Sequence, residues 1–443
     1  MPIESAESNI TVSDATDRAP SVFPLGQMLP FLLVISVFFL WGMSNNLTDI
    51  LVQQFRKSFD LSLLEAQLVQ TAVFLAYGTM AIPAALLTRR FGYKVGLLVG
   101  LIVFGIGTLL FWPAAVIGRY APFLVALFIV GSGSSTLEAA ANPLIAQFGP
   151  PETSERRLNF AQAFNPPGSI LGVLIGTLMI FSGVNKNAAE VAAMKAERTY
   201  AAYLHGEILR VVPTYVVLGL AVLLLAGVIA AVKFPASLDA ADEGEEPQQG
   251  SFGRLFANPH LMFAVVAQFF YVGAQIATWS TLIPYIRAYT HATERASGYL
   301  LTSTLVALAV GRIVSTSLMR YIRPERMITI YAIVNIVLLA AGILHPGLAG
   351  AYAIVATSFF MSIMYPTIFA LGVKDLGSDT KLGGSLIVMA IIGGAIFPPL
   401  MGWITRQTGS VALGYLLPAI GYVVVALYGF LAPRLVHREF DVT

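Results

Sequence analysis

The stretch "FFLWGMSNNLTDIL", residues 38–51, opens as lipid-soluble as any part of the chain, then sets two asparagines, a threonine and Asp49 before its apolar character resumes. At the centre of a membrane helix a carboxylate costs about 2.5 kcal/mol or more on insertion scales, so an acid here demands a physical reason. The stretch sits inside a mostly apolar run over 29–55. Roughly 20 such residues in a helix cross ~30 Å of hydrocarbon.

The whole chain has this character. Of 443 residues, 57% are hydrophobic and only 11% charged; a soluble domain carries about a quarter charged residues. The composition implies an all-α integral membrane protein. A formal net charge of +2 without a basic block gives no sign of nucleic-acid binding. The absence of cysteine removes disulfides, thiolate chemistry and Cys-ligated metals. His205, His260, His291, His345 and His437 fall in loops or near span ends without the spacing of a metal site, so no metal and no cofactor is expected.

Twelve spans can be marked off: 29–55, 63–88, 94–117, 120–147, 157–183 and 209–234, then 259–286, 296–320, 325–345, 349–373, 382–404 and 411–434. The polar start, 1–28, runs into the first span without a cleavage-site pattern and reads as a retained cytoplasmic tail. An acidic, polar linker over 235–258 separates a six-helix half at 29–234 from a second at 259–434, and 435–443 forms a short cytoplasmic tail. The connection 184–208 carries "KNAAEVAAMKAERTYAAYLHGE", which suits a short surface helix. Four short loops on one side ("TRRFGYK", "ERR", "RYIRPER", "KDLGSDTK") hold ten Lys and Arg, which favours both termini in the cytoplasm.

The halves echo each other. "FFLWG" (38–42) returns as "FFYVG" (269–273), "ANPLIAQFG" (141–149) pairs with "MYPTIFALG" (364–372), and "GTMAIPAALLTRRFGYK" (78–94) with "GRIVSTSLMRYIRPER" (311–326). Three matches in one order indicate an internal repeat of the kind found in transporters that rock about a site near the bilayer midplane.

Away from span ends the ionisable residues are few: Asp49, Glu138 and Arg312. Asn46 lies three residues before Asp49, Asn142 four after Glu138, and Asn165 three after Gln162, so each pair shares a helix face. If those faces converge, their donors and acceptors suit a neutral polyol or sugar. In the second half Gln275 and Trp279 share a face and Tyr365 follows in "SIMYPTIF"; an indole packs against the C–H face of a sugar while Gln and Tyr bind its edge. The repeat sets Ser280 and Met361 opposite Asp49 and Glu138, so the acids belong to one half only. Desolvation disfavours the charged form of a carboxylate among apolar helices, which lets it take up and release a proton near neutral pH. Asp49 toward the outer side and Glu138 nearer or below the midplane read as two proton-coupling groups at different depths. Arg312 reads as substrate ligand, counter-ion or structural anchor, and is counted among the candidate sugar-binding residues. The prolines and glycines at 143, 166–168 and 366 read as helix-bending residues.

With these residues in view, the chain resembles the major facilitator superfamily, and within it the L-fucose:proton symporter branch. The matching stretches are "FFLWGMSNNLTDIL", "LEAAANP", "LNFAQAFN", "YVGAQIATWS", "FMSIMYPTIFALGVKDLG", "DTKLGGSLIVMAIIGGAIFPPLMG" and "KFPA". The resemblance implies inward sugar transport with a proton. It makes Asp49 the coupling acid, Glu138 an acid needed for both substrate and proton, and Asn46, Gln162 and Asn165 cavity-lining. Two departures stand out: Thr88 replaces the usual acid of the loop after the second span, and "FNPPGS" replaces "FNSxG". The expected substrate is L-fucose or a related neutral sugar, and the expected form a monomer in the inner membrane. Glucose or galactose carriage, sodium coupling, and drug or metabolite export on the same fold remain open alternatives. An intramembrane enzyme would need a catalytic constellation that the spans do not offer.

Overall fold

The computed structural model describes residues 27–149, 154–184, 186–234, 252–319, 321–374, 376 and 380–438. Residues 1–26 and 439–443 of the expected tails and 235–251 of the expected linker lie outside these residues. Among the described residues, twelve helices are long and apolar enough to cross a membrane. The first half contains α1 (Met28–Ser58), α2 (Leu63–Thr88), α3 (Tyr93–Ile117), α4 (Tyr120–Ile145), α5 (Phe160–Ile180) and α6 (Tyr200–Ala231). The second contains α7 (Pro259–Tyr289), α8 (Glu294–Leu318), α9 (Pro324–Leu344), α10 (Leu348–Gly372), α11 (Gly383–Thr408) and α12 (Val411–Ala432).

Eleven of these spans lie close to the expected bounds; α6 begins nine residues earlier than the expected 209, taking in Tyr200–Leu209 ahead of a break at Arg210. His205 and Glu207 make that first segment look like loop, but Glu207 is 5% exposed and Gln54 of α1 donates to both its backbone and its carboxylate, at 2.8 and 3.2 Å. The expected surface helix is present over Ala188–Ala196, started by an Asn187–Glu190 capping box. Local signals set several other helix starts. Ser62 and Glu65 form a capping box before α2, and the side chains of Asn258 and Thr293 cap α7 and α8.

The repeat is structural. In the first half α1 packs on α5, α2 on α4, and α3 on α4 and α6; in the second, α7 packs on α11, α8 on α10, and α9 on α10 and α12. Across the halves α2 meets α11, α5 meets α8, and α1 meets α7, the arrangement a twofold exchange of halves requires. Lipid tails are as apolar as leucine, so close helix approach in a bilayer depends on small residues. A Cβ on Gly168 of α5 would collide with the Phe39 carbonyl of α1, and one on Gly393 of α11, just after a 3-10 turn at Ala390–Ile392, would collide with the Phe269 carbonyl of α7. Gly168→Val should therefore destabilise the fold by about 1–3 kcal/mol through overpacking. An unchanged thermal midpoint in detergent would contradict this account of the α1–α5 crossing.

The polar bonds joining the halves gather at the end of the bundle where α1 finishes. Lys57 pairs with Glu207 of its own half at 3.1 Å and with Glu294 of the other at 3.4 Å. Gln53 donates to Glu294 at 3.3 Å, and Gln67 of α2 donates to Thr281 of α7 at 2.9 Å. Thr71 donates to the Ala395 carbonyl at 2.8 Å, and Arg295 to that of Phe181 at 3.2 Å. Toward the opposite end, Ile82 and Leu86 of α2 are 50% and 60% exposed, and Gln162 and Phe164 of α5 are exposed too.

Candidate functional site

Glu138 stands half-buried on α4, which continues unbroken through Pro143. Its carboxylate accepts no hydrogen bond from a described residue. It lies within electrostatic reach of Tyr77 on α2 and, across the interface between halves, of Tyr365 on α10. The void beside it, lined by Phe38, Trp41 and Ala141 among others, is about 10 Å³. That is room for one water at most.

Asp49 is 5% exposed and faces α2, where Gln70 donates to it at 2.8 Å. From Gln70 a polar ladder climbs between α1 and α2. Thr48 donates to the Asn45 carbonyl at 2.6 Å and lies 3.2 Å from the Gln70 side-chain oxygen. Asn45 and Trp41 then both donate to the Tyr77 hydroxyl, at 3.5 and 2.6 Å. The ladder ends at Tyr77, one of the two tyrosines within electrostatic reach of Glu138. Because α1 and α4 run in opposite senses, the two acids sit toward opposite ends of the bundle, with the ladder between them.

The other polar residues of the first half join α4 to α5 and α5 to α1. Gln162 donates to Asn142 at 3.4 Å, tying α5 to α4. Asn165 donates to the Phe38 carbonyl of α1 at 3.4 Å, and Ser169 to the Gly42 carbonyl at 3.2 Å. Asn46 is half-buried and turns back to its own helix, donating to Gly42 at 3.3 Å. Gln162 and Asn165 flank a turn at 163–164 where α5 breaks, immediately before Pro166 and Pro167. A matching turn at 362–363 breaks α10 just ahead of Tyr365 and Pro366. Irregular backbone at this depth is tolerated where it is enclosed by protein or lines a cavity.

In the second half Gln275 and Tyr365 are half-buried. Trp279 is 6% exposed, with its indole N–H already donated to Ser358 of α10 at 3.0 Å. Arg312 is exposed; it reaches α10 by donating to the Ser362 carbonyl at 3.2 Å and lies near Tyr271 of α7. No group of three or more His, Asp and Glu side chains that could hold a metal ion occurs among the described residues.

Sequence reasoning passed over Trp41, Asn45, Gln70 and Tyr77. The available signal was the polar content of the second span, where Gln70 and Tyr77 lie seven residues apart on one face.

Two six-helix repeats, breaks in α5 and α10, and an acid within electrostatic reach of a tyrosine of the other half fit a membrane carrier of the alternating-access kind. Residues 32–381 match the family model of the Major Facilitator Superfamily, and the chain belongs to that family. It is 40% identical to the L-fucose-proton symporter of Escherichia coli (strain K12), over 90% of this chain and 92% of that one. It is 34% identical to a glucose/galactose transporter of Brucella abortus biovar 1 (strain 9-941), over 90% and 92%. A crystal structure of the E. coli fucose:proton symporter superposes with a TM-score of 0.68 at 39% identity, covering 91% of this chain and 98% of that one.

Proposed function

We propose that this protein carries a neutral monosaccharide, L-fucose first among candidates, across the inner membrane together with a proton, by alternating access. The observation that carries the reading is Glu138: a carboxylate with no described hydrogen-bond donor, placed within reach of Tyr365 of the opposite half. Such a group can accept hydrogen bonds from sugar hydroxyls and exchange a proton at the same point. Asp49, held by Gln70, is the second proton-coupling group. Asn46, Asn142, Gln162 and Asn165 from one half, with Gln275, Trp279, Arg312 and Tyr365 from the other, contribute to the sugar site. In this reading both termini face the cytoplasm, which the Lys- and Arg-rich loops support, and the monomer is the working unit.

The deciding experiment is uptake of radiolabelled fucose, galactose and glucose into proteoliposomes, with pH and sodium gradients imposed separately. Fucose accumulation driven by the pH gradient alone is expected. Accumulation that needs sodium, or none of fucose, would overturn the respective half of the proposal. Glucose or galactose carriage is the second reading, favoured by the 34% identity to the Brucella abortus transporter.

Gln162 links α4 to α5 beside the helix break and is exposed, so a sugar can take over its hydrogen bond. Losing one such bond costs about 1–1.5 kcal/mol, so Gln162→Ala should raise the half-saturating sugar concentration about tenfold. Unchanged half-saturation in transport assays would remove Gln162 from the site.

A further inference from the structure

A cavity of about 700 Å³ lies between α7, α9, α10 and α12, at the end of the bundle opposite Lys57. Its mouth carries Arg323, Arg326 and Lys374, all exposed, and none of the three forms an ion pair with a described residue. Glu325 supplies the acidic side chain of the lining. Helix α9 starts at this mouth with Arg323 in the capping position and no side-chain hydrogen bond to its first turn. An uncapped first turn presents unsatisfied backbone N–H groups and the positive end of the helix dipole. At the floor His260 is 3% exposed; its Nε2 meets the Leu371 carbonyl at 2.8 Å and its Nδ1 has no partner among the described residues.

The rest of the wall is apolar and opens outward. Ile330 and Phe430 are 50% and 56% exposed on spanning helices, which puts apolar surface beside the basic mouth. A neutral sugar has no use for this charge, and a small soluble anion has no use for the apolar wall. A ligand with a negative head and an attached hydrocarbon chain matches both, and basic pockets between transmembrane helices take such headgroups.

We propose that this cavity is a binding site for an anionic phospholipid. The phosphodiester sits among Arg323, Arg326, Lys374 and the first turn of α9, and an acyl chain runs along Ile330 and Phe430. The site is separate from the sugar path, and its occupancy does not depend on which sugar is carried.

Native mass spectrometry of the full chain, purified in detergent and offered phosphatidylglycerol or phosphatidylcholine, tests this directly. One tightly retained phosphatidylglycerol is expected, with retention at least tenfold weaker in the triple variant Arg323→Gln, Arg326→Gln, Lys374→Gln. Arg326→Gln alone, checked for an unchanged melting temperature, should show a partial loss and guards against misfolding of the triple variant. Equal retention of phosphatidylcholine, or unchanged phosphatidylglycerol binding by both variants, overturns the site. Titration with glycerol phosphate separates lipid from free anion: displacement of phosphatidylglycerol by an equal concentration of the chainless headgroup would show an anion site and overturn the lipid assignment.

Discussion

Asp49→Asn is expected to abolish uphill, pH-driven sugar accumulation in proteoliposomes while leaving sugar exchange and binding largely intact. Asparagine has nearly the shape of aspartate, and its amide oxygen can still accept the 2.8 Å hydrogen bond from Gln70, so packing between α1 and α2 survives. What it cannot do is bind and release a proton. Each unit of pH gradient is worth about 1.36 kcal/mol per proton, or about tenfold accumulation at one proton per sugar. The variant should therefore bring internal sugar only to the external level under a gradient that gives the parent protein tenfold or more. Full accumulation by Asp49→Asn would sink the coupling role.

Glu138→Gln should damage both binding and transport. The carboxylate has no described donor of its own, so a bound sugar is free to supply one. Hydrogen bonds to a charged group contribute about 1.5–3 kcal/mol, so exchanging the carboxylate for an amide should weaken sugar affinity by roughly 10- to 150-fold. Titration calorimetry with fucose reads this independently of coupling. Tyr365→Phe serves as the companion measurement: a smaller affinity loss is expected there, because a neutral hydroxyl is removed and the acid retained. Parent-like affinity in Glu138→Gln would remove the acid from the sugar site.

Much of this was open to a reader of the chain alone, for physical reasons. Hydrocarbon tolerates little except apolar helix, so hydropathy marked the spans closely; it failed at Tyr200–Leu209, where a buried Glu207 made a helix start look like loop. The acids at 49 and 138 stood out because charge in a span is costly. Gln70 and Tyr77 did not, because neutral polar side chains in a span cost little enough to pass as packing. Partner choice was the least legible part. The indole of Trp279 suggested a sugar platform, yet its N–H is engaged by Ser358, 79 positions along the chain. Spacing along one helix says which residues share a face; it says nothing of what another helix brings to meet them.

Lys57 illustrates such a meeting, and its two partners differ in kind. Glu207 belongs to the same half and would travel with it, whereas Glu294 belongs to the other. Parting the halves at this end thus never strands the ammonium, which keeps one carboxylate beside it throughout. The burden falls on Glu294, 1% exposed while the contact lasts, whose release into water refunds the desolvation it suffered on closing. A latch built with a permanent counter-ion on one side can be undone without an isolated buried charge, which suits a protein that must open and shut it in every cycle.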